Sequence, residues 1–168
     1  QQGKALYWGT SEWSAQQIEK AYDFAVANSF HRPHFEQPQY NLLHSEKVEK
    51  EFLPLYTKMG LGLTTWSPLA SGILTGKYQH SIPSDSRLAM TNMSWLQDEL
   101  RLPKTQQVLQ GLTELSKKYE ISMTELALGW CVLNPNVSTV ILGASRTDQL
   151  LANLNTLTKL DRIREIKS

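Results

Sequence analysis

The amino-acid sequence alternates short apolar runs with longer amphipathic stretches, and turn-forming residues follow each apolar run. This alternation is typical of βα units, in which each strand is followed by a helix that packs on a parallel sheet. β-branched and aromatic residues predict four strands, at residues 5–10, 34–37, 62–66 and 138–142. The chain is therefore predicted to be an α/β protein with four parallel βα units.

Helix-capping patterns lie between the predicted strands. Ser14 with Gln17, and Ser122 with Glu125, have the spacing of capping boxes, so helices are predicted to begin directly after Ser14 and Ser122. Gly60 follows an apolar stripe and predicts the end of another helix. Further helices are predicted around residues 108–119, near residue 147 and from residue 161.

Residues 67–103 show little strong periodicity and contain several Gly and Pro residues. They are predicted to form a long loop, and loops of this length are usually functional or mobile. The segment follows the carboxyl end of the third predicted strand, which is where α/β folds bind their ligands.

The charge balance and the single cysteine exclude several classes of protein. Lys and Arg number 17 against 16 Asp and Glu, so the net charge of +1 gives no reason to expect nucleic acid or an anionic membrane surface as a partner. Cys131 cannot form an internal disulfide, and it lies in an apolar run that predicts core. With no apolar run of about 18 residues and no signal-peptide pattern at its start, the chain is expected to be soluble and cytoplasmic.

Other candidates for chemistry are weak. A metal site is disfavoured, because no Cys or paired carboxylate completes a ligand set with the histidines, which are His31, His34, His44 and His80. Cys131 lies on a predicted apolar helix face, and Ser67 lacks the Gly-x-Ser-x-Gly context of a hydrolase nucleophile. Tyr40 has no Lys beside it and is predicted to pack in the interior. Neither a Walker A motif nor a G-x-G-x-x-G motif is present.

The four strand ends share small hydroxyls, amides and one aromatic ring. The segments are Gly9-Thr10-Ser11, Glu36-Gln37, Trp66-Ser67-Pro68-Leu69 and Gly143-Ala144-Ser145-Arg146. Together these groups suit a planar heteroaromatic ring joined to phosphates. Each segment alone is ordinary loop chemistry, and the information lies in their serial arrangement.

These strand ends and their neighbours make the sequence resemble the aldo-keto reductase superfamily, in particular the branch that holds the β-subunits of voltage-gated potassium channels. The resemblance covers nearly the whole chain. It rests on GKALYWGTS at residues 3–11, EQPQYN at 36–41, TWSPLA at 65–70 with GKY at 76–78, and LGAS at 142–145 with Gln149 and Asn153.

The resemblance implies a TIM barrel with NADPH across the carboxyl ends of its strands. By the resemblance, this chain corresponds to the fifth to eighth βα units; a complete barrel takes about 250 residues, whereas four units fit 168. In the family the catalytic Asp, Tyr, Lys and His or Asn come from the first four units, and no position here matches their motifs. We therefore expect no catalytic residue in this chain.

What the resemblance does carry over is most of the cofactor site. Ser11 and Gln37 would bind the nicotinamide carboxamide, and Trp66 would stack on the ring. The pyrophosphate would be held by the backbone of Ser67, Pro68, Leu69, Ala70 and Ser71 with the side chains of Lys77 and Arg87. The adenosine 2′-phosphate and adenine would be bound near Gly143 by Ser145, Arg146, Gln149 and Asn153.

Two positions depart from the family pattern. Glu12 stands where relatives carry Asn or Arg, so a contact beside the nicotinamide is expected to be lost or altered. Ala152 stands where many relatives carry a Glu that pairs with adenine, which should weaken binding.

The resemblance implies an NADPH-dependent oxidoreductase that reduces a small aldehyde or ketone, with this chain supplying the cofactor-binding half. The alternatives are a nucleotide-binding regulatory subunit of a potassium channel, which would meet a membrane only indirectly, and a non-catalytic remnant. A complementary half-barrel or self-association is expected to complete the fold.

Overall fold

The computed structural model describes residues 2–79, 81–84, 86–90 and 93–167. Four parallel strands form one sheet in the order β1-β2-β3-β4. The strands are β1 (Gly9–Ser11), β2 (Phe35–Gln37), β3 (Gly62–Thr65) and β4 (Val137–Val140). The prediction of four parallel strands is confirmed.

The strand bounds differ most at the first strand, which was predicted to start at residue 5. Pairing with β2 begins only at the Gly9–Phe35 pair, and Leu6 and Tyr7 before it are exposed. A Cβ at Gly9 would lie 2.3 Å from the carbonyl oxygen of Phe35, so the close approach of β1 to β2 requires glycine there. β4 likewise ends at Val140, two residues before the predicted end.

Seven α-helices in the described residues connect or follow the strands. They are α1 (Ala15–Ala27), α2 (Leu53–Met59), α3 (Ser94–Arg101), α4 (Pro103–Tyr119), α5 (Met123–Val132), α6 (Thr147–Asn155) and α7 (Leu160–Lys167). A π-helical turn at Lys47–Glu51 precedes α2, and 3-10 helices occur at Ala70–Thr75, Arg87–Ala89 and Thr156–Lys159. Among the described helices, none has both the length and the apolar character needed to cross a membrane.

Local sequence signals set several helix ends as predicted. Ser14 and Ser122 both form complete capping boxes, with Gln17 and Glu125 as the reciprocal partners. Gly60 ends α2 with φ of 65°, a left-handed conformation that favours glycine.

The prediction of a long loop over residues 67–103 was wrong in part. Two 3-10 helices and α3 lie within it. Helix α3 has only eight residues, and Met93 at its start makes no side-chain cap, so neither periodicity nor capping marks it in the sequence. Leu96 anchors α3 in the core.

The two faces of the sheet differ in burial. Thr10, Glu36, Leu63 and Thr65 are buried, and Leu63 belongs to a core cluster with residues of α1, α2 and α5. The alternate positions along β2 and β3 are only half-buried. The helices thus cover one face of the sheet and leave the other partly open. A second core cluster joins the Ala70–Thr75 helix to α3, α4, α5 and α7.

Glu36 is a carboxylic acid in the covered face. Its carboxylate accepts hydrogen bonds from the Thr10 hydroxyl and, at 3.1 Å, from the backbone N–H of Trp13. Burial raises the pKa of Glu36 above its ordinary value, and these hydrogen bonds offset the effect only in part.

We expect Glu36→Gln to change how the stability of the fold depends on pH. The pKa of Glu36 is higher in the folded protein than in the unfolded chain. Protonation of Glu36 therefore stabilises the fold fully below the unfolded pKa of about 4.3, and this stabilisation is lost as pH rises through the folded pKa. Wild type should therefore lose stability with rising pH while Glu36→Gln does not, so the unfolding free energy of the variant minus that of wild type should increase. The increase should be about 1.4 kcal/mol for each pH unit between the unfolded and folded pKa values of Glu36. Denaturant titrations at a series of pH values measure this difference.

The matched control is Glu114→Gln, since Glu114 is an exposed carboxylate on α4. This variant removes an exposed carboxylate and gives the baseline for comparison. A Glu36→Gln profile that is flat with pH would contradict the assignment.

Candidate cofactor site

The carboxyl ends of the four strands lie along one edge of the sheet, because all four strands are parallel. Ser11 and Gln37 are paired in register at the ends of β1 and β2, and the Ser11 hydroxyl donates a 3.1 Å hydrogen bond to the Gln37 carbonyl oxygen. Ile141 N–H, just after β4, donates at 2.8 Å to the carbonyl oxygen of Thr65, at the end of β3. The structure therefore brings the predicted nicotinamide residues Ser11 and Gln37 together.

Trp66 follows β3 on the same edge, with 36% of its surface exposed. Its backbone N–H and carbonyl groups are both hydrogen-bonded to the segment after β2: Trp66 N–H donates to Pro38 O at 3.1 Å, and Tyr40 N–H donates to Trp66 O at 3.2 Å. Its indole N–H donates to Glu12 Oε1 at 3.0 Å. The exposed indole is thus held beside the ends of β1 and β2.

Glu12 was predicted only as a lost or altered contact, and the structure shows what it does. Its carboxylate accepts from Gln39 N–H at 2.6 Å and from the Lys47 ammonium at 2.9 Å, in addition to Trp66. Partial burial raises the pKa of Glu12, but the hydrogen bonds from Lys47, Gln39 and Trp66 outweigh it, so the pKa lies below its ordinary value. Glu12 is therefore ionised at neutral pH.

The turn after Trp66 contains three non-glycine residues, Ser67, Ala70 and Ser71, with φ of 54°, 47° and 55°. Ser67 organises it: its carbonyl oxygen accepts from Ala70 N–H at 3.0 Å, and its hydroxyl accepts from Ser71 N–H at 3.3 Å. Asn41 is fully buried and donates to the same carbonyl at 2.9 Å. The backbone N–H groups of Ala70 and Ser71 are therefore already hydrogen-bonded within the turn, and Pro68 has no N–H. These are three of the five backbone positions predicted to hold the pyrophosphate.

Lys77 and Tyr78 close over this turn. A Cβ built on Gly72, where φ is 96°, would lie 3.1 Å from the Lys77 ammonium and 3.3 Å from the Tyr78 hydroxyl. The Tyr78 hydroxyl is buried without a hydrogen-bond partner in the described part of the chain. A cationic group and a hydroxyl without a partner among the described residues thus both lie against Gly72, where a side chain would collide with them. Sequence reasoning had identified Lys77 but missed Tyr78.

Arg87 lies exposed at the start of the 3-10 helix Arg87–Ala89. The described contacts do not join it to Lys77 or to another predicted site residue. Its role in binding a pyrophosphate stays a prediction.

A second group of predicted residues lies between β4 and α6, which starts at Thr147 as predicted. Gln149 Oε1 accepts from both the N–H and the hydroxyl of Ser145, at 3.0 and 3.2 Å. The Arg146 guanidinium binds the Asp148 carboxylate through two hydrogen bonds of 3.1 and 3.2 Å, and this ion pair lowers the pKa of Asp148. Asp148 lies in the first turn of α6, and its pairing with Arg146 was not predicted from the sequence.

Asn153 lies one turn further along α6 than Gln149 and is 7% exposed. With Leu142 and Thr156 it lines a mainly apolar cavity of about 260 Å³ between β4, α5 and α6. Gly143 lies in the exposed loop above, with open space where a side chain would be.

Tyr40 packs in the interior, as predicted. It is fully buried, its ring stacks on Trp130 at 4.7 Å, and its hydroxyl donates to Glu49 at 2.8 Å and accepts from Asn134 at 2.9 Å. Burial raises its pKa far above the ordinary value.

Residues 2–79, 81–84, 86–90 and 93–167 contain no group of three or more His, Cys, Asp or Glu that could hold a metal ion. His80, one of the four histidines considered from the sequence, lies outside these residues.

Comparison with known proteins gives the family. The Aldo/keto reductase family model matches residues 1–167. A probable voltage-gated potassium channel subunit beta of Oryza sativa subsp. japonica is 50% identical over 156 residues, covering 92% of this chain and 48% of that protein. Its counterpart in Arabidopsis thaliana is 50% identical over 153 residues, covering 90% and 47%.

A putative voltage-gated potassium channel subunit beta of Schizosaccharomyces pombe is 45% identical over 166 residues, covering 97% of this chain and 48% of that protein. The chain thus spans about half the length of the curated relatives it matches. Its four parallel βα units form part of a TIM barrel. The chain belongs to the aldo/keto reductase family.

Proposed function

We propose that this chain forms the NADP(H)-binding half of an aldo-keto reductase that transfers a hydride to an aldehyde or ketone. Aldo/keto reductases generally use NAD(P)H and act on small carbonyl substrates. The observation that carries the proposal is the shared edge on which Ser11, Gln37 and the exposed indole of Trp66 lie. These groups suit an amide-bearing aromatic ring, because they offer one aromatic face with a hydroxyl and an amide beside it.

The residues at the turn fit the anionic part of the same cofactor. Lys77 supplies a cation, Tyr78 supplies a buried hydroxyl without a partner among the described residues, and glycine at position 72 lets both groups lie against the turn. An unpaired buried hydroxyl is costly, and a phosphate oxygen would satisfy it. A pyrophosphate at this turn would therefore gain a charge-assisted contact from Lys77 and a hydrogen bond from Tyr78.

In the mechanism that we propose, this chain positions the cofactor. When bound, the nicotinamide cofactor supplies the hydride. The Ser11 hydroxyl and the Gln37 side-chain amide would fix the carboxamide and thereby the ring face that meets the substrate. The Trp66 indole would cover the opposite ring face and exclude water from it.

The proton donor for the carbonyl oxygen is not supplied by Tyr40, the tyrosine that follows a strand end. Its hydroxyl is fully buried and already bonded to Glu49 and Asn134. We therefore assign the catalytic acid to a barrel half outside these four βα units.

A second candidate function is that of a nucleotide-binding subunit of a potassium channel. It is favoured by the similarity to three proteins named as voltage-gated potassium channel β-subunits, which are 45–50% identical to this chain. A complete barrel that binds NADPH but does not turn over a simple aldehyde would favour this candidate, and steady NADPH oxidation would favour the reductase.

The partly open face of the sheet indicates how the fold is completed. β1 and β4 are edge strands, and edge strands with unpaired backbone groups tend to pair with another chain. Ile141, directly after β4, is 40% exposed. We infer that a complementary half-barrel, or a second copy of this chain, pairs along these edges.

We expect NADPH to bind the 168-residue chain, and Arg146→Ala to weaken that binding selectively. Arg146, Ser145 and Gln149 lie together at the start of α6, and a 2′-phosphate there would meet a planar guanidinium fork. Loss of the guanidinium should cost about 1–3 kcal/mol of binding free energy for NADPH and leave the affinity for NADH almost unchanged. Fluorescence titrations with both cofactors measure the two affinities.

Two further variants sharpen this test. Asp148→Asn frees the guanidinium from its ion pair and should tighten NADPH binding. Arg164→Ala removes an exposed arginine with a similar pairing to Asp161 and should change neither affinity. An equal loss for NADPH and NADH in Arg146→Ala would contradict phosphate recognition by Arg146, and absence of NADPH binding to wild type would contradict the proposed function.

The isolated chain is expected to self-associate through its strand edges. Sedimentation velocity should show a dimer or larger species whose proportion rises with protein concentration. Ile141→Lys adds a charge beside the β4 edge and should shift the distribution toward monomer. A monodisperse wild-type monomer with a cooperative thermal transition would contradict pairing between half-barrels.

A further inference from the structure

Glu12 lies directly after β1 and connects three separate segments of the chain. It has φ of 60°, a left-handed conformation that is unusual outside glycine. Its carboxylate meets Trp66 from the end of β3, Gln39 from the loop after β2, and Lys47 from the π-helical turn. The three donors are 27 to 54 residues away in the sequence.

The three donors to the Glu12 carboxylate differ in how firmly the fold holds them. Gln39 donates through its backbone N–H, and Gln39 also bridges to Trp66 as an extension of the sheet, so this donor is fixed by the fold. Lys47 binds the other carboxylate oxygen, Oε2. The contacts with Gln39 and Lys47 thus hold the Glu12 carboxylate in place, and that carboxylate in turn accepts from the Trp66 indole.

Among the described residues, the indole has one polar side-chain contact, which is with Glu12. Trp66 is 36% exposed and is not part of either buried core cluster. Its ring has one polar group, the Nε1–H donor, and Glu12 Oε1 accepts from it at 3.0 Å. Because Glu12 accepts from that donor, it can hold the ring plane in one orientation.

We propose that Glu12 is a positioning residue that presets the Trp66 indole for the nicotinamide ring. This inference rests on the proposed function, because it takes Trp66 as the surface on which the ring stacks. An indole held in one orientation before binding avoids the entropic cost of ordering it with the ligand. Glu12 acts through Trp66 and has no direct role in the chemistry.

The test is a double-mutant cycle on the 168-residue chain, with Glu12→Ala, Trp66→Phe and the double variant. NADPH affinity is measured by fluorescence titration. Glu12→Ala should weaken NADPH binding about tenfold in the wild-type background. In the Trp66→Phe background the same substitution should change affinity by less than about twofold, because phenylalanine has no N–H to hold.

A readout without cofactor separates this inference from the proposed function. The Trp66 indole ¹H–¹⁵N signal, assigned by its loss in Trp66→Phe, should shift and lose protection from solvent exchange in Glu12→Ala. Glu12→Gln retains one acceptor oxygen and should restore part of both the signal and the affinity. Glu46→Gln, which removes an exposed carboxylate paired only with Lys50 among the described contacts, should match wild type.

Two results would overturn the inference. One is an unchanged Trp66 indole signal in a folded Glu12→Ala variant, and the other is the same loss of affinity in both backgrounds. Failure of wild type to bind NADPH would overturn the proposed function, and with it the nicotinamide ring as the ligand of Trp66. The indole signal would still show whether Glu12 holds Trp66. Thermal unfolding of each variant shows that it is folded.

Discussion

Parallel pairing of four strands in their order along the chain requires each connection to return from one end of the sheet to the other. The connecting segments place α1, α2 and α5 over one face, where Leu63 and Cys131 share a core cluster with Ile18. The same constraint gathers all four carboxyl ends on one edge. The loops that carry the candidate site are therefore adjacent in space although they are up to about 130 residues apart in the sequence.

The elements that depend on local sequence were predictable. Ser14 and Ser122 form their capping boxes with partners three residues away, and Gly60 ends its helix through its own backbone conformation. Helix α3 was missed because it has neither a capping side chain nor enough turns to show a period. The start of β1 was misplaced because it depends on where β2 approaches, and that is a tertiary contact.

The site shows the same division between local and distant contacts. The Ser145–Gln149 pair is a local contact at the start of a helix, and its members could be named from the sequence. The Glu12 carboxylate, by contrast, gathers donors from three segments, and no spacing in the sequence indicates that Lys47 or Trp66 would be near it. Tyr78 was missed for a similar reason: that its buried hydroxyl has no hydrogen-bond partner in the described ranges is visible only when its surroundings are known. The cofactor-binding roles of Ser145, Gln149 and Trp66 stay predictions from the family resemblance.

The left-handed residues of the turn after Trp66 have a consequence for Asn41. For residues other than glycine, such backbone conformations cost of order 1–3 kcal/mol each, so Ser67, Ala70 and Ser71 hold them only because the surroundings impose them. Asn41 belongs to those surroundings, since its buried amide binds the Ser67 carbonyl while its own oxygen accepts from two backbone N–H groups, at 2.9 and 3.0 Å. The shape of the turn is thus encoded partly in a residue 26 positions earlier. A substitution at position 41 can therefore reshape this turn from outside it.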